Sequence, residues 1–178
     1  MAHFLKYSLI FYFILNGCGF SKLPDYEKIF TEEMAGPQYI ARNIQVSYDD
    51  NRYPYNLELI KKVEIVGEEE YFITYQAYSK ASNYNNFGVD SLIFVVDGKL
   101  IPLSIEDTYY ETVFSYKGSY LANSIDFYYK ITKEEIQQIA SGKIVKVLSK
   151  SGNKIDEGLL HVKDIERFRI FLEKYGDK

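Results

Sequence analysis

The chain is 178 residues long, carries a formal net charge of -4, and contains one cysteine and two histidines. An acidic balance with no Lys/Arg cluster leaves no electrostatic footprint for nucleic acid, a lone cysteine excludes an internal disulfide, and so few Cys and His argue strongly against a structural or hydrolytic zinc site. Aromatic residues reach 17%, as 18 Tyr and 12 Phe without Trp, a bias that suits strands and half-exposed sheet faces.

In chain order the first element is the segment MAHFLKYSLIFYFILNGCGF. Lys6 places positive charge near the N-terminus, no acid precedes Asp25, and an apolar run extends from Tyr7 to Leu15. About nine residues is the length of a signal-peptide core, whereas a bilayer-spanning helix needs about 20. The run closes on Leu15, Asn16, Gly17 and Cys18, the only cysteine of the chain. This Leu-x-small-Cys pattern resembles the lipobox of bacterial lipoproteins, over the first 18 residues alone. The resemblance implies cleavage between Gly17 and Cys18 and attachment of a diacylglyceryl group to the Cys18 sulfur as a thioether, so that Cys18 carries two or three chains of the palmitate class. Each buried methylene contributes about 0.8 kcal/mol, so several chains hold a protein durably on a bilayer where one does not. The implied address is the bacterial cell envelope, with the lipid bilayer as partner through acylated Cys18. Gly19 implies the outer membrane in a cell that has two.

The organisation expected from sequence is a signal peptide over 1–17, a lipid-anchored tether over 18–37 and one globular β-rich domain over 38–178. Within the tether, Tyr26 to Met34 is expected to form a short helix capped by Asp25. The following strand, Tyr39 to Tyr48, places Ile40, Ile44, Val46 and Tyr48 on one parity. Then LELIKKVEIV puts Leu57, Leu59, Val63 and Ile65 on one face, a period of two that marks a half-buried strand. Gly67 to Glu69 turn the chain into EYFITYQAYS, whose aromatics fall on both parities, as expected of a strand buried on both faces. The clearest hairpin is SLIFVVDGKLIPLSI. Asp97-Gly98 tolerates the positive φ angles of a type I′ turn, and Pro102, which has no N–H, makes the second run an edge or bulged strand. TYYETVFSY and SIDFYYKI read as two more strands.

The last third differs. Thr132 and Glu135 form a capping box on a short helix with Ile136, Ile139 and Ala140 as its stripe, stopped at Gly142. KIVKVLS and KIDEGLLHV are strands around the turn KSGN. The final helix shares one face among Ile165, Phe168, Leu172 and Tyr175. The fold class expected is α+β or mainly β: an antiparallel sheet or sandwich of roughly eight to nine strands with two short helices in the C-terminal half.

Sequence motifs assign no catalytic residue, metal or cofactor. The histidine outside the leader, His161, stands before the last helix as a surface imidazole, and neither G-x-S-x-G, G-x-G-x-x-G nor a P-loop occurs. Carboxylates cluster at Asp49-Asp50, Glu68-Glu69-Glu70, Glu106-Asp107 and Asp156-Glu157. Each lies at a predicted turn or strand end, where solvated charge is ordinary, although two of them brought together would make an acid pair. The candidate recognition loops carry Tyr48, Asp49, Asp50, Arg52, Tyr53 and Tyr55 in the first, and Tyr84, Asn85 and Asn86 in the second. These residue types make adaptable contacts at low entropic cost. They flank one predicted hairpin, which places them at one end of a sheet. The expected role is binding or structural interaction with a protein or glycan. A membrane-tethered hydrolase using carboxylates and an assembly or inhibitor module pairing through a sheet edge are the alternatives.

Overall fold

The computed structural model describes residues 25–29, 36–48, 55–64, 67–80, 91–114, 121–151 and 153–177. Gly17, Cys18 and the loop residues Asp49, Asp50, Arg52, Tyr53, Tyr84, Asn85 and Asn86 lie outside them. Among the described residues, ten strands form one antiparallel sheet: β1 Tyr26–Ile29, β2 Gln38–Ser47, β3 Tyr55–Val63, β4 Glu69–Lys80, β5 Ser91–Val96, β6 Lys99–Leu103, β7 Ile105–Phe114, β8 Leu121–Ile131, β9 Val145–Ser151 and β10 Lys154–Leu160. Two helices join them, α1 Lys133–Ser141 and α2 Val162–Tyr175. The architecture is mainly β with two helices late in the chain, as the sequence leads one to expect.

The strand order is β6-β5-β9-β10-β2-β3-β4-β8-β7, with β1 pairing the N-terminal half of β2. The two terminal strands of this order are consecutive in the chain, separated by Ser104 alone. The sheet therefore curls until its ends nearly meet, and β6 and β7 act as one bent strand that leaves β5 and joins β8. The hairpin turn before it has φ of 48° at Asp97 and 88° at Gly98. The Asp97 carboxylate accepts the backbone N–H groups of Ile144 at 2.9 Å and Lys143 at 3.1 Å. Those two bonds hold its carboxyl below the usual aspartate range. Pro102 faces solvent on the edge strand β6, where no ladder bond is lost.

Two details differ from the sequence reading. Tyr26 begins a strand rather than a helix, so the sheet takes in residues assigned to the tether; the open edge of β2 supplies ladder partners for Tyr26–Ile29, and tertiary pairing overrides a weak local preference. Within β2 a bulge lies between Ala41 and Ile44, with Asn43 at φ 59°. The extra residue switches parity. Tyr39, Ala41, Ile44 and Val46 face the core, and Ile40 faces outward into a separate cluster with Ile60 and Phe72.

The bulge also opens a gap in the β2 edge. β1 pairs up to Ala41 and β10 only from Val46. Side chains of α2 fill it: Asp164 accepts the Gln45 N–H at 3.0 Å, and Arg167 donates to the Arg42 carbonyl at 3.1 Å and to Asp25 at 3.3 Å. Gly158 lies beside this junction, where an added Cβ would stand 2.4 Å from Val46 Cγ1.

The main core fills the inside of the curled sheet. Leu57, Leu59, Ile73, Leu92, Phe94, Val147, Phe127 and Tyr129 point inward, and α2 contributes Ile165, Phe168 and Phe171. Phe168 meets Phe94 edge to face at 6.2 Å between centroids, a favoured aromatic geometry. The capping box of α1 forms as expected, with the Glu135 N–H donating to Thr132 Oγ1 and the Thr132 N–H to Glu135 Oε2.

Candidate functional site

A groove of about 450 Å³ lies on the outer face of the sheet, lined by Gln38, Ile60, Lys62, Glu70, Phe72, Glu106, Asp107 and Tyr128. Strand register builds it. Gln38, Lys62 and Glu70 are successive partners across β2, β3 and β4, and Ile40, Ile60 and Phe72 make the next row. Tyr128 on β8 pairs with Asp107 on β7. A barrel-like sheet needs apolar residues only on its inner face. Here Ile40, Ile60 and Phe72 are buried on the outer face as well, with Ile29 and Tyr128 packed against them.

Charge surrounds this apolar floor. The Lys62 ammonium stands 4.7 Å from the centroid of the Phe72 ring and 5.7 Å from that of Tyr128, within range of the negative ring faces. Lys130 bonds Glu70 at 2.7 Å, and that contact raises the lysine above its ordinary range. Glu106 and Asp107 are exposed on the rim, Asp107 accepting the Thr108 N–H at 2.7 Å. Two of the four carboxylate clusters seen in the sequence thus meet in one groove.

A second network lies inside, where α2 ends against the sheet. Lys61, fully buried, donates to Glu69 Oε1 at 2.6 Å and to the Tyr175 carbonyl at 2.8 Å. Tyr71 donates to Glu69 Oε2 at 2.9 Å, and Lys133 to the Gly176 carbonyl at 2.7 Å. The last carbonyls of a helix lack intrahelical partners and carry partial negative charge, so two ammonium groups here hold the end of α2. Desolvation raises the Glu69 carboxyl, but the hydrogen bonds from Lys61 and Tyr71 outweigh it, and the net direction is down. This is an arrangement for stability rather than for chemistry. A neighbouring depression of about 380 Å³ is lined by Glu69, Glu70, Tyr71 and residues 130–134.

Tyr55 belongs to β3 rather than to a loop, and Tyr48 directly follows β2. Their rings lie 5.4 Å apart, and Tyr55 meets Tyr75 edge-on at 4.7 Å. Burial pushes the Tyr55 hydroxyl far above the usual tyrosine range, with Tyr48 and Tyr75 adding to the shift and Ser149 opposing it; Tyr75 is pushed up to about 12, again mainly by burial. Both rings serve packing. His161 is exposed at the N-cap of α2 and makes no capping bond through its side chain. Glu58 is held above the ordinary glutamate range by burial, against the opposing charge of Arg42 at 3.2 Å. It does not line the groove. Among the described residues no three His, Cys, Asp or Glu side chains are grouped closely enough to hold a metal ion.

The groove residues Lys62, Phe72 and Tyr128, and the buried Lys61, were not singled out from sequence. A signal for Lys61 exists: it shares parity with Leu57 and Leu59. The outward aromatics show only once β3, β4 and β8 are paired.

No family model matches the chain, and no curated protein matches it. Among solved structures it is similar to the crystal structure of invasion associated protein B from Bartonella henselae, at 11% identity and a TM-score of 0.43, over 86% of this chain and 93% of the other.

Proposed function

We propose that this chain is a lipoprotein of the bacterial cell envelope, held on the membrane by acyl chains on Cys18, whose β-rich domain acts by binding. The leader and lipobox pattern support the anchor. The outer-face groove supports the binding role: an aromatic and aliphatic floor ringed by a few polar groups is the composition of ligand sites, and sheet closure does not require it.

The alternatives have weaker support. Pairing through a sheet edge favours an uncovered strand free of charge and proline. β1 carries Glu27 and Lys28, β6 carries Lys99 and Pro102, and β7 carries Glu106 and Asp107. A carboxylate hydrolase has its best acids in Glu70, Glu106 and Asp107, but Glu70 is engaged by Lys130.

Intact mass of the native protein, with cell fractionation of wild type and Cys18→Ala, tests the anchor. A lipid-sized addition at Cys18 and its release into the soluble fraction in the variant are expected; a free thiol with the leader still attached sinks the assignment. For binding, Tyr128→Leu keeps apolar bulk but removes the ring. A thermal-shift survey of envelope glycans and peptides should give at least one saturable ligand that this variant weakens. Ligands indifferent to Tyr128 would move the site elsewhere.

A further inference from the structure

Lys62 shows what the groove accepts. Its ammonium rests against two aromatic faces, and among the described residues no carboxylate is paired with it. Its direct cross-strand neighbour Glu70 is bonded by Lys130 instead. The groove thus already holds a lysine side chain, seated over rings and outside the Glu70–Lys130 ion pair beside it. Glu106 and Asp107 stand exposed on the same rim. Counting Lys62 and Lys130 against Glu70, Glu106 and Asp107 leaves one excess negative charge, on a chain whose net charge is -4. Such a field draws cations and repels anions. About 450 Å³ exceeds what a single ammonium fills, and leaves room for an alkyl stem with its flanking backbone.

Resting on the reading of this groove as the binding site, we propose that it receives a lysine side chain of a polypeptide partner, which displaces Lys62 from Phe72 and Tyr128 and sets its ammonium between those rings and the Glu106 and Asp107 carboxylates. Lys62 is then an internal competitor: it fills the seat in the free protein and swings to solvent when the partner lysine enters. A lysine stem tolerates that exchange because its head remains hydrated on either side.

The test titrates a blocked tri-lysine peptide into the isotope-labelled whole chain in detergent, following the backbone signals of Ile60, Phe72 and Tyr128. Saturable shifts at those three residues are expected. Lys62→Met removes the competing charge and should tighten binding about threefold to tenfold, while Tyr128→Leu should weaken it by a similar factor. Glu106→Gln combined with Asp107→Asn should weaken binding and flatten its salt dependence. A gain in Lys62→Met is not a result that loss of folding can imitate. Unchanged or weaker binding in that variant overturns the proposal. A blocked tri-glutamate peptide separates the two possible failures: shifts at the three residues with the acidic peptide alone overturn the lysine assignment and leave the groove as a site, and shifts with neither peptide overturn both.

Discussion

Lys61 and Lys62 are neighbours in the chain and opposites in the fold. Lys61 points inward and is fully buried, fixed by Glu69 and by the carbonyl of Tyr175 at the end of α2. Lys62 points outward, half-buried, with its ammonium over Phe72 and Tyr128. The period of two in a strand sends identical side chains to two solvents. Inside, a charge must be met by bonds of fixed geometry, because an unpaired buried ammonium is prohibitively costly. Outside, water shares the work and the contacts are exchangeable. The interior lysine is therefore structural, and the exterior one is suited to being displaced.

Paired substitutions test this contrast, and the largest effect is expected inside. Lys61→Met takes the Lys61 donor away from the Tyr175 carbonyl and from Glu69 Oε1, and should cost about 2–3 kcal/mol in denaturant unfolding. This falls below the range of about 3–5 kcal/mol for fully buried pairs, because Glu69 is partly solvated and keeps its bond from Tyr71. Lys62→Met should change stability by less than about 1 kcal/mol, since a cation–ring contact outside the core contributes about 0.5–1 kcal/mol and the methionine keeps the apolar stem over the rings. Equal losses in the two variants would remove the distinction. Next in size is Tyr71→Phe, which deletes the hydroxyl bonded to Glu69 at 2.9 Å and should cost about 1 kcal/mol in the same measurement.

A smaller effect belongs to pH. The Glu69 carboxyl is lowered from its ordinary value of 4.5. A depressed carboxyl contributes stability that is present above the unfolded pKa and is lost as pH falls through the folded one. Wild-type stability should therefore decline below about pH 4.5, and Lys61→Met should decline less steeply because one of the two hydrogen bonds that depress Glu69 is gone while that from Tyr71 remains. Parallel acid limbs in thermal unfolding would show that Glu69 is not coupled to Lys61.

Much of the architecture was legible. Asp97-Gly98 specified its turn because few dipeptides accept two positive φ angles in succession. Pro102 marked an edge strand by its missing donor, and Thr132 with Glu135 marked a helix start by satisfying each other's backbone partners. The two C-terminal helices read cleanly because their apolar stripes face the main core. What misled was local. Ile40, Ile44 and Val46 share parity in the sequence, yet the bulge at Asn43 separates Ile40 from the other two, and one inserted residue carries little signal of its own. Tyr26–Ile29 carries no marked periodicity, and became a strand because β2 had an edge to offer. At the groove, the Glu68–Glu70 and Glu106-Asp107 clusters were visible as charge, but nothing along the chain reports that they meet over Phe72 and Tyr128.

Sequence alone was enough for a mainly β chain with two late helices, its clearest hairpin and its helix caps, because each depends on contacts within a few residues. It also carries the lipobox pattern on which the proposed anchor at Cys18 rests. Only the tertiary structure decided that β6 and β7 close the sheet into a near barrel, that α2 fills the broken edge of β2, and that one lysine is sealed inside while the next lies over two rings. Those outcomes depend on which strands pair and in what register, a long-range choice made by burial summed over the whole domain.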